Sequence, residues 1–148
     1  MTWNEYTSHI RALINDFGMR GLLTGEIPVK FRHKKNTGNI FTEAPHLIFR
    51  DDASFEFSEN LTLISKQVQI DSYKYQYRRT GGYFFRYEKE ETDDVIWKPP
   101  EHLHVILSVP HFSAPFITLE NVLRIIEVNF YQEVKRENIV GKSIELIV

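Results

Sequence analysis

Cysteine is absent from the 148 residues, which excludes disulfide frameworks, thiolate metal sites, iron–sulfur clusters and cysteine nucleophiles. No apolar run approaches membrane-spanning length, and the opening Met1-Thr2-Trp3-Asn4-Glu5 has neither the basic nor the apolar stretch of a secretory signal. The expectation is a cytoplasmic protein away from membranes, in which the sequon Asn60-Leu61-Thr62 has no role. A net charge of −2 excludes a basic field over the whole surface but leaves room for a local basic patch. Gly18-x-x-Gly21 and Gly81-Gly82 match neither a P-loop nor a dinucleotide fingerprint, and a serine-hydrolase elbow is missing as well. Repeats and low-complexity tracts are also lacking, so residues 1–148 read as a single domain.

What is present is apolar surface in two periods. Tyr6, Ile10, Leu13, Ile14 and Phe17 recur on one face of a 3.6-residue repeat. Thr2 and Glu5 have capping-box spacing at its start, and Gly18 is placed to supply a left-handed exit. Residues 20–45 hold the basic run Lys30-Phe31-Arg32-His33-Lys34-Lys35, read as a short strand or two around a basic turn. Its cations could grip phosphates and its rings stack on bases, although a solvated turn is the plainer reading.

From His46 the period becomes two. Leu47 to Arg50, an Asp51-Asp52 turn and Phe55 to Phe57 read as strand, turn, strand, followed by strand segments in 61–70, 73–78, 83–88 and 102–107. The stretch Glu88 to Asp94 reads as an acidic loop. A second helix is expected from the N-cap Thr118 to about Glu137, with Leu119, Val122, Leu123, Ile126 and Phe130 inward, and Ser143 to Val148 as an edge strand or dimer contact. The fold class is therefore α+β: an antiparallel meander of five or six strands, with an N-terminal and a C-terminal amphipathic helix covering one face.

The candidate chemistry follows from hairpin register. An odd loop, Thr80-Gly81-Gly82, gathers Tyr73, Tyr75, Tyr77, Tyr83, Phe85 and Tyr87 on one face and Lys74, Gln76, Arg78, Arg86 and Glu88 on the other. In the strand at 102–107, Leu103, Val105 and Leu107 join the aromatic face while His102 and His104 project opposite. Imidazoles, a carboxylate and guanidinium groups are the parts of a metal-independent ribonuclease: a base for the 2′-hydroxyl, a cation for the phosphorane and an acid for the leaving oxygen. The His102-x-His104 spacing also suits chelation, with Glu88, Glu101 or His111 as third ligand. Without a firm third ligand the expectation is no metal and no cofactor.

The succession Leu47-Ile48-Phe49-Arg50-Asp51-Asp52-Ala53-Ser54-Phe55-Glu56-Phe57, then Tyr73-Lys74-Tyr75-Gln76-Tyr77, Phe85-Arg86-Tyr87-Glu88 and Pro100-Glu101-His102-Leu103-His104, resembles the TumE-like family of small toxin components of toxin–antitoxin pairs. The resemblance covers about residues 46–128. The N-terminal helix and basic turn (1–45) and the end of the second helix with the tail (129–148) lie outside it. Glu88 stands where the family pattern has aspartate, Lys89-Glu90-Glu91 where it has Asn-Ala-Pro-His, and Glu101 where it has a first histidine. The resemblance implies a protein acting on RNA and a helix-turn-helix antitoxin as partner. On it, His102, His104, Arg86 and Glu88 form the catalytic set, and Arg78, Lys74, Lys34 and Lys35 bind substrate. The departures point to the alternative, a non-enzymatic protein-interaction module or degenerate homologue; a metal-dependent hydrolase ranks third, and a homodimer is compatible with all three.

Overall fold

The stripe of Tyr6, Ile10, Ile14 and Phe17 is buried along helix α1 (Trp3–Met19), whose start carries the reciprocal Thr2–Glu5 capping box. In the computed structural model, which describes residues 1–90 and 99–132, the left-handed exit is made not by Gly18 but by Gly21 (φ 74°). Gly18 lies inside the helix, which ends one residue later at Met19 and is capped by Arg20.

Nine strands follow among the described residues: β1 (Leu23–Thr24), β2 (Val29–Lys34), β3 (Thr37–Thr42), β4 (Leu47–Phe49), β5 (Ser54–Ile64), β6 (Gln67–Arg78), β7 (Phe84–Lys89), β8 (Glu101–Val105) and β9 (Leu107–Ser113). They form one antiparallel sheet in the order β1-β4-β5-β6-β7-β8-β9, with the β2–β3 hairpin attached through β3 to β5. The long strand β5 serves both, pairing β4 near its start (Leu47↔Phe55) and β3 further along (Phe41↔Ser58 to Thr37↔Thr62). The expected five or six strands thus become nine. β1, the fully paired β2–β3 hairpin and β9 account for the excess. Strand β9 carries Pro110 and exposes Leu107, Val109 and Phe112, so it lacks alternation, and proline is tolerated there because the strand is at an edge.

Helix α2 (Leu119–Ile126) starts at the Thr118 cap and passes into one π-helical turn, Glu127–Tyr131. Gln132 is extended, so the helix stops well short of Glu137; the expected β tail, 143–148, lies outside the described residues, as does 91–98 of the acidic loop, whose Glu88 and Lys89 belong to β7. The buried side chains of both helices share one cluster with Phe49, Phe55, Phe57, Tyr75, Tyr77 and Phe85. No described helix is long and apolar enough to cross a membrane.

The β6–β7 register is the odd-loop one. Tyr77 faces Phe85, Tyr75 faces Tyr87, and the Arg79 amide bonds to the Tyr83 carbonyl across Thr80-Gly81-Gly82, with Gly82 at φ 94°. β8 continues the sorting: Leu103 opposite Tyr87, His102 opposite Glu88 and His104 opposite Arg86. Strand alternation therefore sets Lys74, Gln76, Arg86, Glu88, His102 and His104 on one face.

Candidate functional site

Glu88 is the hub of that face. Its Oε1 lies 2.6 Å from Arg86 Nε, and its Oε2 lies 3.1 Å from His102 Nε2 and 3.5 Å from His104 Nε2. Each imidazole is held by its other nitrogen against a backbone carbonyl: His102 Nδ1 is 2.8 Å from the Pro99 oxygen, and His104 Nδ1 is 2.8 Å from the Ser108 oxygen. A carbonyl only accepts, so both Nδ1 atoms carry the proton and donate it; His102 Nε2 is within hydrogen-bond distance of Glu88 Oε2, and His104 Nε2 is turned towards the same oxygen. His104 Nε2 is buried and makes no hydrogen bond. Burial and the neighbouring Arg86 charge lower the His104 pKa, against the opposite pull of Glu88.

Acid and base roles for His102 and His104 require open imidazoles, and here the structure corrects the sequence reading. His102 is 1% and His104 2% exposed, and Gln76 is buried too. His111 from β9 lies against both rings, its centroid 5.0 Å from His102 and 4.6 Å from His104, while the two rings of β8 are 4.9 Å apart. The imidazoles therefore support Glu88 from beneath rather than standing free as acid and base. Gln76 completes the support, accepting from Arg86 at 3.1 Å and donating to Glu56 at 2.8 Å.

Glu88 opens onto a groove of about 330 Å³ that is also lined by Lys74, Lys89, Glu90, Ser58, Asn60 and Ser72. Asn60 and Ser72 are shared with a second groove, of about 500 Å³, to which Arg32 and Lys34 contribute. Of the expected substrate-binding residues, Lys74 is beside the carboxylate hub, 3.6 Å from Glu56, and Lys34 lies along the adjoining groove. Lys35 stands at the tip of the β2–β3 hairpin with φ 55°, and Arg78 is exposed over the Phe84 ring near the β6–β7 turn, so neither joins the cluster. His33 stacks on Trp3 of α1 and on Phe31, and Phe31 meets Trp3 at a tilt, so these rings pack on one another while His33 stays exposed.

Of the three expected third ligands, His111 and Glu88 reach the histidine pair, whereas Glu101 alternates to the other face of β8, where it pairs with Lys89 at 3.9 Å. Glu90, which groups with Glu88 and His102, and the supporting Gln76 had no motif to mark them; only Gln76's register opposite Arg86 pointed to it. Comparison with known proteins brings no family: no family model, no curated protein and no solved structure matches the chain.

Proposed function

We propose that the protein acts on RNA in the cytoplasm through this sheet face, as a toxin of the TumE-like kind whose helix-turn-helix partner restrains it. The observation that carries the reading is the convergence of one guanidinium and two imidazoles on one carboxylate, Glu88, that opens into a groove shared with Lys74. Glu88 takes the 2′-hydroxyl proton, the 2′-oxygen attacks phosphorus, and the 5′-oxygen leaves and is protonated by solvent. Lys74 and Arg86 offset the charge that develops on the phosphorane, and Arg32 and Lys34 in the adjoining groove hold the strand. His102 and His104 are positioning residues in this scheme, because their burial keeps them from substrate.

Single-turnover cleavage of RNA by the purified chain tests it. Glu88→Gln is expected to lower the rate by about 10²- to 10⁴-fold, the contribution of a positioned base, and Arg86→Ala by a comparable factor. Tyr87→Phe, on the opposite face, is expected to leave it unchanged. A wild-type chain that neither arrests growth on expression nor cleaves RNA rejects the reading. The second reading, a non-enzymatic interaction module, then leads; it is favoured by the exposed apolar side chains of edge strand β9.

A further inference from the structure

The grouping of His102, His104 and His111 is not explained by packing. Two Nε2 lone pairs and one carboxylate oxygen face one another at 3.1 and 3.5 Å, all acceptors when the rings are neutral, while the donors that could satisfy them point elsewhere. One proton can serve the His102–Glu88 contact, but it leaves the buried His104 Nε2 unmet. A divalent cation serves all of them at once.

We infer that His102, His104 and His111, with Glu88 Oε2, form a zinc site joining β7, β8 and edge strand β9. One nitrogen from each of the three rings lies within 4.8 Å of the others. Tetrahedral ligands about 2.0–2.1 Å from zinc stand roughly 3.4 Å apart, so small side-chain rotations close the site. The outer contacts are those a histidine-ligated metal uses: Nδ1–H to a backbone carbonyl fixes the tautomer and aims Nε2 inward, twice over. Arg86 holds Glu88 Oε1 and leaves Oε2 for the ion. Three imidazoles and a carboxylate suit zinc better than the all-oxygen preference of magnesium or calcium.

This inference does not rest on the RNA reading. Because a carboxylate that ligates zinc no longer serves as a base, the cleavage scheme applies to the metal-free chain, and metal binding is measured without RNA.

The test is titration of the chelator-treated full chain with Zn²⁺ by calorimetry, and with Co²⁺ by visible absorption. The expected result is one equivalent of zinc per chain, tetrahedral-type cobalt bands, and a melting temperature that rises with zinc. His111→Gln is the informative variant, since β9 is an edge strand and the buried His102 and His104 are riskier to change. It is expected to fold, as judged by its metal-free melt, yet to bind zinc more weakly by more than the about 10- to 100-fold typical of losing an outer-shell partner. Glu88→Gln is expected to weaken binding and alter the cobalt spectrum. Absence of saturable zinc binding by the wild type overturns the inference, as does a folded His111→Gln chain with wild-type affinity and cobalt spectrum.

Discussion

Glu59 shows what a single residue can contribute unannounced. It sits in the middle of β5 at 1% exposure, on the side of the aromatic core, and accepts hydrogen bonds from the hydroxyls of Tyr6 and Tyr75. Burial raises its pKa above the ordinary 4.5, and the two phenolic donors only partly offset that. Because the native state holds this proton more tightly than the unfolded chain, the stability tied to it is complete below about the ordinary value and is lost as pH rises through the raised native value. Glu59→Gln is therefore expected to remove that downward slope, so that the variant gains on the wild type as pH rises above the ordinary carboxylate value. Urea denaturation across pH measures it, and parallel profiles for the two proteins would contradict the assignment. In sequence, Glu59 reads as one more polar residue in Ser58-Glu59-Asn60, although it has the parity of the buried Phe55, Phe57 and Leu61.

Among elements, the end of α2 is secured by chemistry rather than by its apolar stripe. Tyr131, in the π-helical turn, donates to Asp51 Oδ1 at 2.7 Å and meets the Tyr77 hydroxyl at 2.7 Å, while Arg79 donates to Asp51 Oδ2 at 2.7 Å. The β4–β5 turn, the end of β6 and the last helical turn are thereby tied together. Burial pushes the Asp51 pKa up, but the hydrogen bonds from Tyr131 and the Ala53 amide and the charge of Arg79 together hold it below the ordinary 3.8. The matching stability is present above that value and lost as pH falls through the lowered native one. Tyr131→Phe is expected to cost about 1 to 2 kcal/mol at neutral pH, towards the low end for a hydrogen bond to a charge because Asp51 is partly exposed. Its penalty should shrink in acid, and an equal penalty at both pH values would contradict the network. The sequence marks the start of this helix clearly, through Thr118 and its stripe, and not its stop, since Phe130 and Tyr131 still fit a helical pattern. Likewise β8 is legible from alternation, whereas β9, broken by Pro110 and apolar on its exposed side, is not.

For the whole molecule, strand alternation and an odd loop were enough to place Arg86, Glu88, His102 and His104 on one face, because side-chain direction in a sheet depends only on parity and pairing. Depth was not legible. Whether a polar face is open or covered depends on what folds over it, and here the chain turns back at Ile106 (φ 66°) and brings His111 against the pair. Both the RNA reading and the zinc site depend on that covered arrangement, in which backbone carbonyls fix the ring tautomers and aim Nε2 at Glu88. Long-range ¹H–¹⁵N correlation spectra of histidine-labelled, metal-free protein near neutral pH test it most directly. The arrangement predicts a proton on Nδ1 of both His102 and His104 and none on Nε2 of His104; a His104 ring protonated on Nε2, or bare Nδ1 atoms on the pair, would contradict it.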